Sequence, residues 1–182
     1  LEGCFRSCLF GEGCVVTLND INALSSDAFV GAFGGLYEHS PWIAEGAANL
    51  RPFADVEDML AKMDEVVMRA PKTRQLDLLR AHPELAGNAA IDGTLTEAST
   101  EEQASAGLDR MHRSEFDALT GMNTAYGERF GFPFIICVKE TTKAGILDAL
   151  SERLDNTPEQ EFETALAEVG KIVRLRLEGI LS

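Results

Sequence analysis

The sequence predicts an all-α protein, and three observations predict it. Apolar residues recur at helical spacing along most of the chain, Ser, Thr and Asp caps precede several of those runs, and glycine or proline closes them. At 182 residues and 45% hydrophobic, the chain can bury one sizeable core but is short for two. The expectation is a single compact domain of about seven to eight helices, with one extended buried segment at 130–138.

Residues 1–17, LEGCFRSCLFGEGCVVT, stand apart from that pattern. They have one basic residue, Arg6, and no continuous apolar run, so they read poorly as a secretory signal and are expected to be a disordered or added leader before a helical domain at 18–182. Three of the four cysteines, Cys4, Cys8 and Cys14, lie in this leader without a CxxC pair, whereas Cys137 sits in the apolar run FIICV and reads as reduced and buried.

From there the elements follow in order. Ser25 or Ser26 starts a helix through Phe29, Val30 and Phe33, ended by Gly34 and Gly35; Ser40 and Pro41 then cap and open WIAEGAANL. Asp55 caps a helix with Val56, Met59, Leu60, Met63, Val66 and Val67 on one face, and Pro71 closes it. A short helix carrying Leu76, Leu78 and Leu79 runs to Ala81, because Pro83 forces His82 out of helical geometry. After the loop GNAAIDGTL, two overlapping capping boxes, Ser99-x-x-Glu102 and Thr100-x-x-Gln103, predict a helix start near residue 100. The next helix holds Phe116, Leu119, Met122 and Tyr126. FGFPFIICV, residues 130 to 138, is then expected to be extended and buried. Helices at 142–154 and 158–181 complete the chain, the last opened by the TPEQ box.

Charge and composition exclude several partners. A formal charge of -14, from 16 basic and 30 acidic residues, repels nucleic acid and anionic lipid, and no apolar run reaches the ~20 residues of a membrane helix. A small anionic ligand would need its own local cation or backbone donors. Arg176 fits that need: it lies on the apolar stripe of the last helix with Phe162, Leu166, Val169, Ile172, Val173 and Ile180, and a buried guanidinium demands an acceptor. Its spacing is equally compatible with an internal salt bridge. Residues 134 to 138 present backbone groups that either a ligand's amides or neighbouring protein groups must pair. Ser99, Glu102 and Gln103 read as caps, and His82 as a structural histidine at a helix end, unless something else assigns them a task.

A resemblance does so. FVGAFGGLYEHSPWIAE, AHPELAG, LTEASTEEQASAGL, YGERFGFPFIICVKE and EVGKIVRLRL, taken in that order from about Leu18 to the end, are similar to the 2-oxo-4-hydroxy-4-carboxy-5-ureidoimidazoline (OHCU) decarboxylases. The resemblance implies an all-α homodimer that converts OHCU to (S)-allantoin, the last step from urate, with no metal or organic cofactor. It also implies His82 and Glu102 as catalytic residues, and Pro83, Ser99, Gln103, Arg176 and the backbone of Phe134, Ile135, Ile136, Cys137 and Val138 as substrate contacts. The implied partner is a small anionic ureidoimidazoline, with neither nucleic acid nor membrane involved. The closing EGILS lacks a peroxisomal tripeptide, so a cytoplasmic location is expected. The rival readings are a non-catalytic helical binding module, a metal-dependent cyclic ureide hydrolase, for which the separated His39, His82 and His112 offer no HxxxH spacing, and a lyase for another heterocycle.

Overall fold

The computed structural model describes residues 16–87, 95–105, 107–108 and 111–181. The three leader cysteines and most of the loop after Gly87 lie outside the described residues. Nine α-helices are present among the described residues, and no strand: α1 Leu18–Ala23, α2 Ser26–Phe33, α3 Trp42–Ala48, α4 Val56–Arg69, α5 Lys72–Ala81, α6 Glu97–Ser105, α7 Arg113–Phe130, α8 Lys143–Arg153 and α9 Pro158–Leu181. The fold is all-α, as the periodicity predicts. The additional helix is α1, whose Thr17 cap and reciprocal Asp20 bonds lie at the edge of the cysteine-bearing run, where the sequence offers little apolar period. No described helix is long and apolar enough to cross a membrane.

These residues group into two compact units. The first takes the chain through Leu78 and again from Val173 onward. Its core contains Phe29, Phe33, Ile43, Ala47, Met59, Met63, Val173 and Leu177, all essentially inaccessible to solvent. Ser25 caps α2 and Asp55 caps α4 through side-chain oxygens that accept the Ala28 and Asp58 amides. The expected Ser40 cap is replaced: Pro41 holds that position with no side-chain bond, and Ser40 gives its carbonyl to the Ile43 amide instead. Helix α3 packs on α2 and on α4. A Cβ on Gly46 would fall 2.7 Å from Val66 Cγ1, so the absent side chain is what permits the α3–α4 approach.

The second unit runs from Leu79 to Ile172. Helix α7 ends at Phe130 on Gly131, whose φ of 79° supplies the left-handed turn that a side chain would resist. The extended stretch is therefore slightly shorter than expected, because Phe130 still belongs to α7 and Val138 opens a 3-10 turn, Val138–Glu140. Tyr126, Phe130, Phe132, Phe134 and Phe162 form an aromatic cluster around it, with centroid separations of 4.7 Å for Tyr126–Phe130 and 5.3 Å for Tyr126–Phe134.

Within this unit lies a buried acid. Glu161 of α9 has no exposed surface, and its carboxylate accepts from Arg153 Nε at 2.9 Å, from Asn156 Nδ2 at 2.7 Å and from the Tyr126 hydroxyl. Burial and this carboxylate together push the Tyr126 hydroxyl far above the ordinary tyrosine range. Removing one member of a buried ion pair strands the other, at a cost of about 3–5 kcal/mol. Glu161→Ala is accordingly expected to lower the urea unfolding midpoint by a corresponding amount; an unshifted midpoint would show that the pair contributes nothing to stability.

Candidate functional site

In the second unit, Ala81 ends α5, yet the His82 amide still donates to the Leu79 carbonyl at 3.2 Å before Pro83 diverts the chain. His82 is 7% exposed. The next four residues make a turn closed by the Gly87 amide on the Glu84 carbonyl, 3.2 Å, with Ala86 at a φ of 52°. Gln103 of α6 grips that turn: its Oε1 accepts the Ala86 amide at 2.9 Å and its Nε2 donates to the Glu84 carbonyl at 3.5 Å. The proline-histidine motif and the SxxEQ helix are thus joined directly, across 17 to 19 residues of sequence.

Helix α6 starts one turn earlier than the two capping boxes predict. Thr96 is the cap, its carbonyl taking the Thr100 amide and its hydroxyl the Ser99 amide. The physical reason is competition: a threonine three residues ahead of Ser99 satisfies the same orphan amides, so Ser99 and Thr100 are free to be helical. Ser99 and Gln103, four apart, then share the buried face at 3% and 7% exposure, while Glu102 is half-buried beside them. The same helix packs against the 3-10 turn that follows the extended segment. Three of the predicted pieces, the His82–Pro83 pair, the Ser99/Glu102/Gln103 helix and the end of the 134–138 segment, are therefore brought together in one unit.

Within that segment the backbone is partly committed already. The Ile135 carbonyl accepts from Arg153 Nη1 at 2.8 Å, the Cys137 amide donates to Glu168 Oε2 at 2.7 Å, and the Cys137 carbonyl accepts the Glu140 amide at 3.0 Å. Phe134 lies under the Arg153 guanidinium, 4.5 Å from ring centroid to carbon, and only Ile136 of the five residues is half-buried rather than buried. Cys137 is a free thiol that burial and the nearby Glu140 and Glu168 hold above its ordinary pKa, which keeps it protonated and unreactive.

Arg176 belongs to the first unit, where its guanidinium makes the internal salt bridge that its spacing also allows. Arg176 Nη2 pairs with Glu38 Oε1 at 2.9 Å and Nη1 donates to the Leu36 carbonyl at 3.2 Å, with the two side chains 7% and 2% exposed. The sequence pattern hid this partner because Glu38 lies 138 residues away, in the turn between α2 and α3. Arg174, two residues earlier, is instead an exposed fork on Glu57, whose carboxyl it holds below the usual range.

A family model for OHCU decarboxylase matches residues 22–178. The chain belongs to the OHCU decarboxylase family. It is 45% identical over 162 residues to a 2-oxo-4-hydroxy-4-carboxy-5-ureidoimidazoline decarboxylase of Haloferax volcanii, covering 89% of this chain and 94% of that one, and 40% identical to the corresponding Amia calva protein over 90% and 94%. It is also 39% identical to a bifunctional uric acid degradation protein of Bacillus subtilis, of which it spans 33%. Among solved structures, an (S)-allantoin synthase superposes with a TM-score of 0.74 at 31% identity, covering 91% of this chain and 54% of that one. A crystal structure of OHCU decarboxylase in the presence of (S)-allantoin gives 0.63 at 27% identity, over 77% and 90%.

For this OHCU decarboxylase family member, no three His, Cys, Asp or Glu side chains gather in a metal-binding group among the described residues. A surface hollow of about 330 Å³ in the first unit, bounded by Trp42, Glu65, Arg69 and Arg74 among others, contains none of the sequence-predicted site residues. The residues that sequence reasoning missed are polar partners from distant helices: Glu38, Asn123, Arg153, Glu161 and Glu168. The Arg176–Glu38 pair makes a measurable claim. Either Glu38→Ala or Arg176→Ala alone should destabilise by about 3–5 kcal/mol, and the double variant should cost much less than their sum in a urea-unfolding cycle. Strictly additive costs would refute the pairing.

Proposed function

We propose that the protein decarboxylates OHCU to (S)-allantoin, with His82 and Glu102 as its proton-handling pair. The observation that carries this reading is the Gln103 bridge, which ties the SxxEQ helix to the turn beginning two residues after His82. In the reaction the bond between the ring carbon and its carboxylate carbon breaks, carbon dioxide leaves, and the electron pair spreads into the adjacent imine-like nitrogen of the ring. The substrate itself is the electron sink, so the step asks the protein for binding, orientation and one proton.

His82, a residue type that titrates near neutral pH, holds the substrate's hydroxyl or carboxylate and supplies or relays that proton, while Glu102 orients the hydroxyl. Ser99 and the backbone of the 134–138 segment fix the ring and ureido groups, and delivery to one face of the ring gives a single enantiomer. Groups of the segment already bound to Arg153, Glu168 and Glu140 serve as its fixed frame, and Ile136 lies between them. Pro83 lines the wall beside His82. Arg176 keeps the anion-binding role, its charge moderated by Glu38. The working form is a homodimer in the cytoplasm.

The test is conversion of freshly generated OHCU by the purified protein with a chelator present, followed by ultraviolet absorbance and by circular dichroism for (S)-allantoin. Acceleration with a single-sign dichroism signal is expected; no acceleration would leave a binding module, and loss only with chelator would leave a metal-dependent enzyme. His82→Ala should remain folded with turnover lower by at least about a hundredfold, the usual general acid–base contribution. Full activity would remove His82 from the mechanism. Static light scattering should give twice the chain mass.

A further inference from the structure

Asn123 occupies the buried face of α7 between Leu119 and Tyr126 and is 5% exposed. Its Nδ2 donates to the Leu85 carbonyl at 3.0 Å, while its Oδ1 has no partner among the described residues. An unpaired buried acceptor is destabilising, and a leucine of similar size would avoid it, so packing does not account for an amide here. What the amide reaches does account for it. Leu85 is the second residue of the turn after His82–Pro83, and the third, Ala86, is left-handed without being glycine, a conformation its Cβ disfavours. Such a turn persists only if its surroundings hold it. Gln103 binds it at Glu84 and Ala86, and Asn123 binds it at the residue between. The Leu85 side chain, 7% exposed, fills the space below. Two primary amides from two helices thus clamp three consecutive residues, and Pro83, with its φ fixed by the ring, leaves few torsions between that clamp and the imidazole.

We propose that Asn123 is a positioning residue for the decarboxylation, setting the orientation of His82 by fixing the Glu84–Gly87 turn. This rests on His82 being catalytic. The decisive variant is Asn123→Asp, which keeps the shape and replaces the donor with a group that donates to the Leu85 carbonyl only when protonated. Near pH 8 its kcat should fall by at least about tenfold while KM stays within about threefold, since a displaced catalytic group impairs the chemical step more than binding. The ratio of its kcat to that of the unaltered protein should rise again toward about pH 5, as the carboxyl takes up its proton. In a His82→Ala background the substitution should have no further effect on kcat. Asn123→Leu, which removes both donor and orphan acceptor, should lose kcat without the low-pH recovery. A folded Asp or Leu variant with unchanged kcat, or a loss lying wholly in KM, would overturn the proposal while leaving His82 in place. An active His82→Ala would overturn both readings.

Discussion

A carboxylate sealed from water governs the second unit. Arg153, Asn156 and Tyr126 converge on Glu161 and fill its acceptor positions, and Arg153 has donors to spare. The remaining arm of the guanidinium takes the Ile135 carbonyl, so the charge that neutralises Glu161 also fixes the extended segment. A stretch with no ladder partner would otherwise have several registers open to it. The ion pair, the ring of Phe134 beneath it and the Glu168 carboxylate on the Cys137 amide leave one.

The same solution recurs wherever helical backbone is interrupted. Buried N–H and C=O groups must be paired, and an all-helical protein has no neighbouring strand to pair them. Side chains from other helices do so instead: Arg153 on Ile135, Glu168 on Cys137, Asn123 on Leu85, and Gln103 on Glu84 and Ala86, with Arg80 on the exposed Gly131 carbonyl besides. Each of these non-helical places is thus tied to a helix by a polar side chain.

Local signals in the sequence were sufficient for most helix ends. Asp55 and the Thr157–Gln160 box cap the helices they were expected to cap, and Pro83 expels His82 from α5. Signals failed where two residues compete for one role or where a partner is remote. Thr96 displaced Ser99 as the α6 cap, and α1 escaped notice beside an unpatterned leader. Hydrophobic spacing put Met122 on the inner face of α7, but Asn123 is the buried residue, because its amide has a bond to make 38 positions away. Glu38, Glu161 and Glu168 carry no local signal of burial for the same reason, their partners being remote in sequence. Of the site, the motif residues could be found by resemblance, whereas the groups that orient them are not adjacent in sequence and carry no motif.

The first unit draws residues from both ends of its sequence range, with Val173 and Leu177 in its core and Arg176 against Glu38. A ribosome delivers those residues only after the whole of the second unit. Throughout synthesis of the intervening hundred or so residues, α1 to α4 must wait for the final helix to complete their interior. This unit thus closes only after the second has been made, and a nascent chain interrupted before Val173 would carry it as an open, aggregation-prone shell.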